Sequence, residues 1–189
     1  DIKVWIGGND FRYFQYDHVL ATRQVGSAFK PVVYASALEQ GIAPDRYFPN
    51  QQFTYTDYQN WSPGNSDEEY GGYYSMEGAL CKSVNTVSVQ ILMESGITET
   101  IRLAKAMGIE ADLPEVPSLA LGVADISLLQ MVKAYACLDN MGRSVEPNYL
   151  IRIEDANGKV LKKFTPHNEL KEVLSPENAK IITRFLQSV

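Results

Sequence analysis

Histidine, cysteine and tryptophan are scarce in this 189-residue chain, which holds two of each. His18 and His167 stand apart with no ligand cluster around either, so no metal site is expected. Cys81 and Cys137 fall in apolar helical patterns and read as small core residues, not as a disulfide pair. Basic residues are outnumbered, 17 Lys and Arg against 23 Asp and Glu, for a net charge of −6. A polyanionic partner such as nucleic acid is therefore not expected. Long apolar runs are missing too. No stretch approaches the ~20 residues of a membrane-spanning helix, and nothing reads as a secretory leader. Repeats, low-complexity segments and linkers are absent as well, and no cofactor is expected. What remains is 45% hydrophobic and 21% charged residues in a length suited to one domain with a real core.

Against that background one run stands out: Val25-Gly26-Ser27-Ala28-Phe29-Lys30-Pro31. Pro31 has no N–H, and its ring clashes with a carbonyl four residues back, so it suits only the first turn of a helix. A helix is expected to begin at about Ser27 or Ala28 and to run to Gly41, a C-terminal glycine cap. Ser27 and Lys30 are three residues apart, nearly one turn, and share a face. A serine beside an amine is a nucleophile beside its activating base. The plainer reading is a serine N-cap. Lys30 counts against it, because a capping box places Glu or Gln there and a cation in the first turn opposes the helix dipole.

A second element is Leu80-Cys81-Lys82-Ser83-Val84-Asn85-Thr86. Leu80, Val84, Val87 and Ile91 recur at helical spacing, and periodicity alone favours one continuous helix from about Ser75 to Glu94. Residues two apart do not share a helical face, so Ser83 and Asn85 would then diverge. If both serve one cleft, the helix must break near Ser83. Taken together with the first run, the break is the favoured reading.

These motifs resemble the transpeptidase domain of penicillin-binding proteins, most closely the class A, cell-wall-crosslinking kind. Ser27-Ala28-Phe29-Lys30 matches the family's Ser-x-x-Lys, and Ser83-Val84-Asn85 its Ser-x-Asn. Trp61-Ser62-Pro63-Gly64-Asn65 is similar to a Trp-x-Pro-x-Asn segment, and Pro117-Ser118-Leu119-Ala120-Leu121-Gly122 precedes a helix containing Ala134-Tyr135, as in the family. The likeness runs from about Val4 to the end. It implies an α+β fold: the helix-rich part of the penicillin-binding and serine β-lactamase-like fold, with N-terminal strands of its antiparallel sheet. It also implies Ser27 as nucleophile, Lys30 as base, Ser83 as proton shuttle and Asn85 as holder of a substrate amide, with Trp61 and Asn65 as candidate substrate contacts. Peptidoglycan stem peptides would be the substrates, β-lactams the acylating inhibitors, and the bacterial cell envelope the location, outside the inner membrane, with any anchor upstream. Bringing a lysine from ~10.4 to about 7 to serve as base requires ~4–5 kcal/mol of differential solvation.

The family's third motif, Lys-Thr/Ser-Gly, does not occur here. The resemblance implies that its strand closes the cleft and supplies one of two oxyanion donors, and losing one such donor typically costs ~100- to 1000-fold. Residues 1–189 are therefore expected to be part of one transpeptidase domain, inactive by themselves and prone to self-association through uncovered apolar surface. The chain's opening without methionine and its closing helix without a stop signal fit the same expectation. Two other readings stay open. One is a β-lactam sensor or serine β-lactamase, against which stands the absence of a Glu-x-x-Leu-Asn segment. The other is a non-catalytic binding or scaffold module.

Elsewhere, two short strands at about Lys3–Gly7 and Phe11–Gln15 are expected around a Gly-Gly-Asn-Asp turn. Residues 44–74 read as a loop-rich stretch with Asp67-Glu68-Glu69 exposed, in which Tyr47, Phe53 and Tyr55 either line a groove or pack the loop down. Helices are expected near Thr98–Met107 and Ser127–Asn140, and from Pro176 onward. Tyr149–Phe164 alternates around Asn157-Gly158, a hairpin signal.

Overall fold

The structure is a computed structural model and describes residues 2–13, 15–148, 150–164 and 170–189. Tyr149 and His167 thus lie outside the described residues. Six α-helices and three two-stranded antiparallel pairs give an α+β architecture among those described. At its centre is α1 (Lys30–Glu39), entered through a 3₁₀ turn at Gly26–Phe29. Every residue from Lys30 to Leu38 is buried, and the helix carries apolar side chains all round, the pattern of an element enclosed on every side. Pro31 occupies its first turn, and the chain leaves it at Gly41, as the sequence predicts.

Around α1 pack α3 (Asn85–Ser95), α4 (Ile97–Ala106) and α6 (Pro176–Gln187). The last two are amphipathic. α6 buries Ala179, Ile182 and Phe185, one position per turn, and its N-terminus is capped by the Ser175 hydroxyl, which accepts from the Asn178 N–H at 3.3 Å. α5 (Leu128–Asp139) starts the same way, Ser127 accepting from Gln130 N–H, and leads on from β4 (Asp125–Ser127). β4 pairs with β1 (Thr22–Gln24), Arg23 opposite Ile126. β2 (Tyr47–Pro49) pairs with β3 (Tyr73–Ser75), tying together the two ends of the long loop between them. Within it Asp67, Glu68 and Glu69 are exposed, Tyr47 and Phe53 face outward, and Tyr55 packs beside Trp61 against the core with ring centroids 6.1 Å apart.

The apolar period from Ser75 to Glu94 is divided between two helices. α2 (Met76–Cys81) ends at Lys82, after which Ser83 N–H bonds to Leu80 O at 3.0 Å and Val84 N–H to Ala79 O at 2.9 Å. This pair of bonds is a Schellman stop, and it requires a left-handed residue at its turning point. Ser83 fills that place at φ 53°. α3 begins immediately after, with buried Val84 as its N-cap.

Among the described residues the pair of strands expected at Lys3–Gly7 and Phe11–Gln15 does not form; Phe14 lies outside them. Among the described residues, 2–7 pair with no strand, and Asp10–Tyr13 make a turn closed by Tyr13 N–H to Asp10 O. Alternation becomes a strand only where a neighbour takes up its N–H and C=O groups; here Ile2 N–H donates singly to Asn148 O, and Gly7 O accepts from His18 N–H. The later hairpin does form, as β5 (Arg152–Glu154) and β6 (Val160–Lys163). Its turn is not the two-residue Asn-Gly type. Only Gly158 is left-handed, and Asp155 caps a longer loop by accepting from Asn157 and Lys159 N–H. Cys81 and Cys137 are free, Cys137 buried and Cys81 partly so. No helix among the described residues is long and apolar enough to cross a membrane.

Candidate active site

Ser27 is held at the mouth of α1 by a close backbone contact. Gly26 N–H donates to Gly122 O at 3.0 Å. Gly122 ends the 3₁₀ turn Pro117–Leu121 at φ +70°, and a Cβ on it would lie 2.0 Å from Gly26 O. Only glycine permits both the conformation and the approach. Gly26 is itself left-handed, at φ +57°, and opens the 3₁₀ turn in which the next residue, Ser27, is exposed. No side-chain cap bond is made at this terminus, so the hydroxyl is not spent as an N-cap. From the other side, Tyr135 of α5 donates its hydroxyl to Ala28 O at 3.0 Å.

One turn on, Lys30 is 1% exposed. Its Nζ donates to Ser83 O at 2.6 Å, Ser83 Oγ at 2.9 Å and Asn85 Oδ1 at 2.7 Å. An ammonium has three donors, and all three are engaged. Ser83 Oγ in turn donates to Ser27 Oγ at 3.0 Å. Ser83 thus stands between amine and Ser27 hydroxyl, and the contact expected directly between Ser27 and Lys30 runs through it. The helix break explains this. The left-handed Ser83 aims both its carbonyl and its hydroxyl at Lys30, while Asn85, already in α3, comes in beside it. Burial alone lowers the Lys30 pKa from its ordinary value to about 8. The amine has no ion pair among the described residues to hold its proton on.

The remaining sequence candidates lie on the loop preceding α2. Asn85 Nδ2 donates to Gly64 O at 2.9 Å, so both ends of the Asn85 amide are taken, by Lys30 and by this loop. Asn65, a candidate substrate contact, is buried, with its side chain turned inward onto Asn50, Glu69 O and Thr86 N–H. Trp61 is half-buried beside Tyr55. Asn50 and Thr86 join this network and carry no sequence signal for it: in isolation Asn50 reads as a turn residue and Thr86 as a helix position.

A serine, a buried lysine of lowered pKa, a second serine between them and an asparagine on the next helix bring the Ser-x-x-Lys and Ser-x-Asn runs together in one place. The family model for the penicillin-binding protein transpeptidase domain matches residues 7–189. The chain belongs to the penicillin-binding protein transpeptidase family. Penicillin-binding protein 1A of Aquifex aeolicus strain VF5 is 34% identical over 193 residues, covering 100% of this chain and 26% of that protein. The crystal structure of penicillin-binding protein 1A from Haemophilus influenzae superposes with a TM-score of 0.88 at 26% identity, covering 97% of this chain and 32% of that one. The imipenem acyl-enzyme complex of penicillin-binding protein A from M. tuberculosis, at 16% identity and TM-score 0.83 over 90% of this chain and 44% of that one, shares the transpeptidase fold. This member of the family thus spans about a quarter of the length of the Aquifex relative.

Proposed function

We propose that this chain carries the acylation machinery of a peptidoglycan DD-transpeptidase of the cell envelope. The observation that supports it is the line of hydrogen bonds from Ser27 Oγ through Ser83 Oγ to Lys30 Nζ, at 3.0 and 2.9 Å. With Lys30 charged, the line runs from amine to Ser83 to Ser27. Once Lys30 is neutral it reverses: Ser27 donates to Ser83, and Ser83 to the amine's lone pair. Ser27 Oγ then attacks the carbonyl of the penultimate D-alanine of a stem peptide. Its proton passes through Ser83 to Lys30, and from there back to the leaving nitrogen as the bond to the terminal D-alanine breaks. The amine of a second stem peptide attacks the resulting ester, forming the crosslink and releasing Ser27. Ser27 lies in the opening 3₁₀ turn, at a helix start where its own backbone N–H points outward and suits a developing oxyanion.

On this reading β-lactams acylate Ser27, as imipenem acylates the M. tuberculosis protein of the same fold. On the same reading the 189 residues are part of a domain whose Lys-Thr/Ser-Gly strand they do not contain, and by themselves they are inactive. Anchoring to the inner membrane falls to other parts of the protein. The test is intact mass of the full-length protein after exposure to benzylpenicillin, beside Ser27→Ala. We expect a gain of one penicillin that is stable over hours and absent from the variant. Rapid loss of the adduct would favour the β-lactamase reading, and no gain in a folded protein would favour the non-catalytic one.

A further inference from the structure

The N-cap of α3 is Val84, whose side chain accepts nothing, so the first N–H groups of this helix need an outside partner. One of them finds it on the loop: Asn65 Oδ1 accepts from Thr86 N–H at 3.1 Å. The rest of the Asn65 amide is used as fully. Its Nδ2 donates to Asn50 Oδ1 at 2.7 Å and to Glu69 O at 2.8 Å. Asn50 Oδ1 also accepts from Thr86 Oγ1 at 2.8 Å, and Asn50 Nδ2 donates to Glu69 O at 3.1 Å. The orientation of both amides follows from partners that have one role each. A backbone N–H only donates, which fixes Asn65 Oδ1, and the Glu69 carbonyl only accepts, which fixes both NH₂ groups. Asn50, Asn65 and Thr86 are 4%, 8% and 1% exposed, so the cycle is buried.

This cycle adjoins the catalytic asparagine on both chain segments. Gly64, next to Asn65, accepts from Asn85 Nδ2 at 2.9 Å, and Asn85 precedes Thr86. Two consecutive loop residues therefore clamp two consecutive helix residues. Because Gly64 O can only accept, it compels the Asn85 amide to present its NH₂ to the loop and its oxygen to Lys30 Nζ, 2.7 Å away. We propose that Asn65, supported by Asn50 and Thr86, is a positioning residue of this site: it locks the loop onto the start of α3 so that Gly64 O holds the Asn85 carbonyl oxygen on Lys30. The proposal rests on the acyl-transfer reading above and assigns Asn65 an inward role in place of direct substrate contact.

The test is a double-mutant cycle in the full-length protein, reading the second-order acylation rate with a fluorescent penicillin for wild type, Asn65→Ala, Asn85→Ala and the double variant, with thermal melts alongside. Each single change is expected to slow acylation ~10- to 100-fold, the range that follows when a catalytic group is misplaced by about an ångström. If Asn65 acts through Asn85, the double variant is slower than Asn85→Ala by no more than about twofold. Multiplied losses in the double variant would overturn the proposal, since a general loosening of the fold penalises both backgrounds equally. Should Asn65→Ala not fold, Thr86→Val removes only the hydroxyl donated to Asn50, and its cycle with Asn85→Ala separates coupled from multiplied losses in the same way. Absence of acylation in wild type would instead refute the acyl-transfer reading itself.

Discussion

Lys30 carries two opposing requirements. Its three hydrogen bonds, to Ser83 O, Ser83 Oγ and Asn85 Oδ1, favour the ammonium. Its burial favours the free amine and holds the pKa near 8. A lysine in water stays charged until about pH 10.4, so burial brings the neutral form within reach of ordinary pH. Below the folded pKa the amine is protonated and cannot accept the Ser83 proton; as pH rises through it the relay reverses and acylation accelerates. In the full-length protein we expect the acylation rate to climb through a midpoint near pH 8 and then level off. Lys30→Arg, whose guanidinium stays charged, should remain at least ~100-fold slower with no such rise. Stopped-flow acylation from acid to alkaline pH across that midpoint checks this, and a flat wild-type profile would exclude Lys30 as the group that takes the proton.

At the scale of elements, the break between α2 and α3 brings Ser83 and Asn85 to the same amine. It is built on a residue ill suited to it. The left-handed turn of a Schellman stop is normally glycine, and a side chain there costs about 1–2 kcal/mol. Ser83 accepts that cost at φ 53° while supplying the hydroxyl that stands between Lys30 and Ser27, strain held at the site and offset by the packing of buried Val84. Ser83→Gly should therefore be about 1 kcal/mol more stable than Ser83→Ala in urea unfolding, although both lack the hydroxyl and both acylate slowly. Equal stabilities would mean that the turn is not strained. The same break marks the boundary of what local sequence announces. Ser27, Lys30, Gly41 and Pro31 signal α1 through local rules, and the caps of α5 and α6 likewise lie in their own sequence. The break at Ser83 has no glycine to mark it, so apolar period alone runs through it, and only the paired motifs argue otherwise. The Asn50–Asn65–Thr86 cycle joins residues far apart in the chain, and no local rule foretells which distant carbonyl or N–H an asparagine will meet. The N-terminal alternation misled for the opposite reason: a period of two states which face is apolar, not whether a neighbouring strand is present.

For the molecule as a whole, the helical core closes on itself around α1 but one side stays apolar and open. Leu128 and Val132, on α5, are 55% and 49% exposed, and Val4 is 74% exposed. With Trp5, Val19 and Ala136 they line a hollow of about 290 Å³. Val25, Ala28, Ile126 and Met131 line a neighbouring one of about 390 Å³, directly behind the turn that carries Ser27. Side chains spaced along α5 in this way form a stripe that gains ~25 cal/mol for each Å² it removes from water, and contiguous exposed apolar surface of this kind drives association. We therefore expect the 189-residue chain, expressed alone, to self-associate at micromolar concentrations in sedimentation velocity. Val132→Lys together with Leu128→Lys should return it to a monomer without lowering the melting temperature, because neither side chain is part of the buried core. The net charge of −6 opposes association only at low salt, so raising the ionic strength should strengthen it. A wild-type chain that sediments as a single monomer at high and low salt would show that this face is satisfied without a partner.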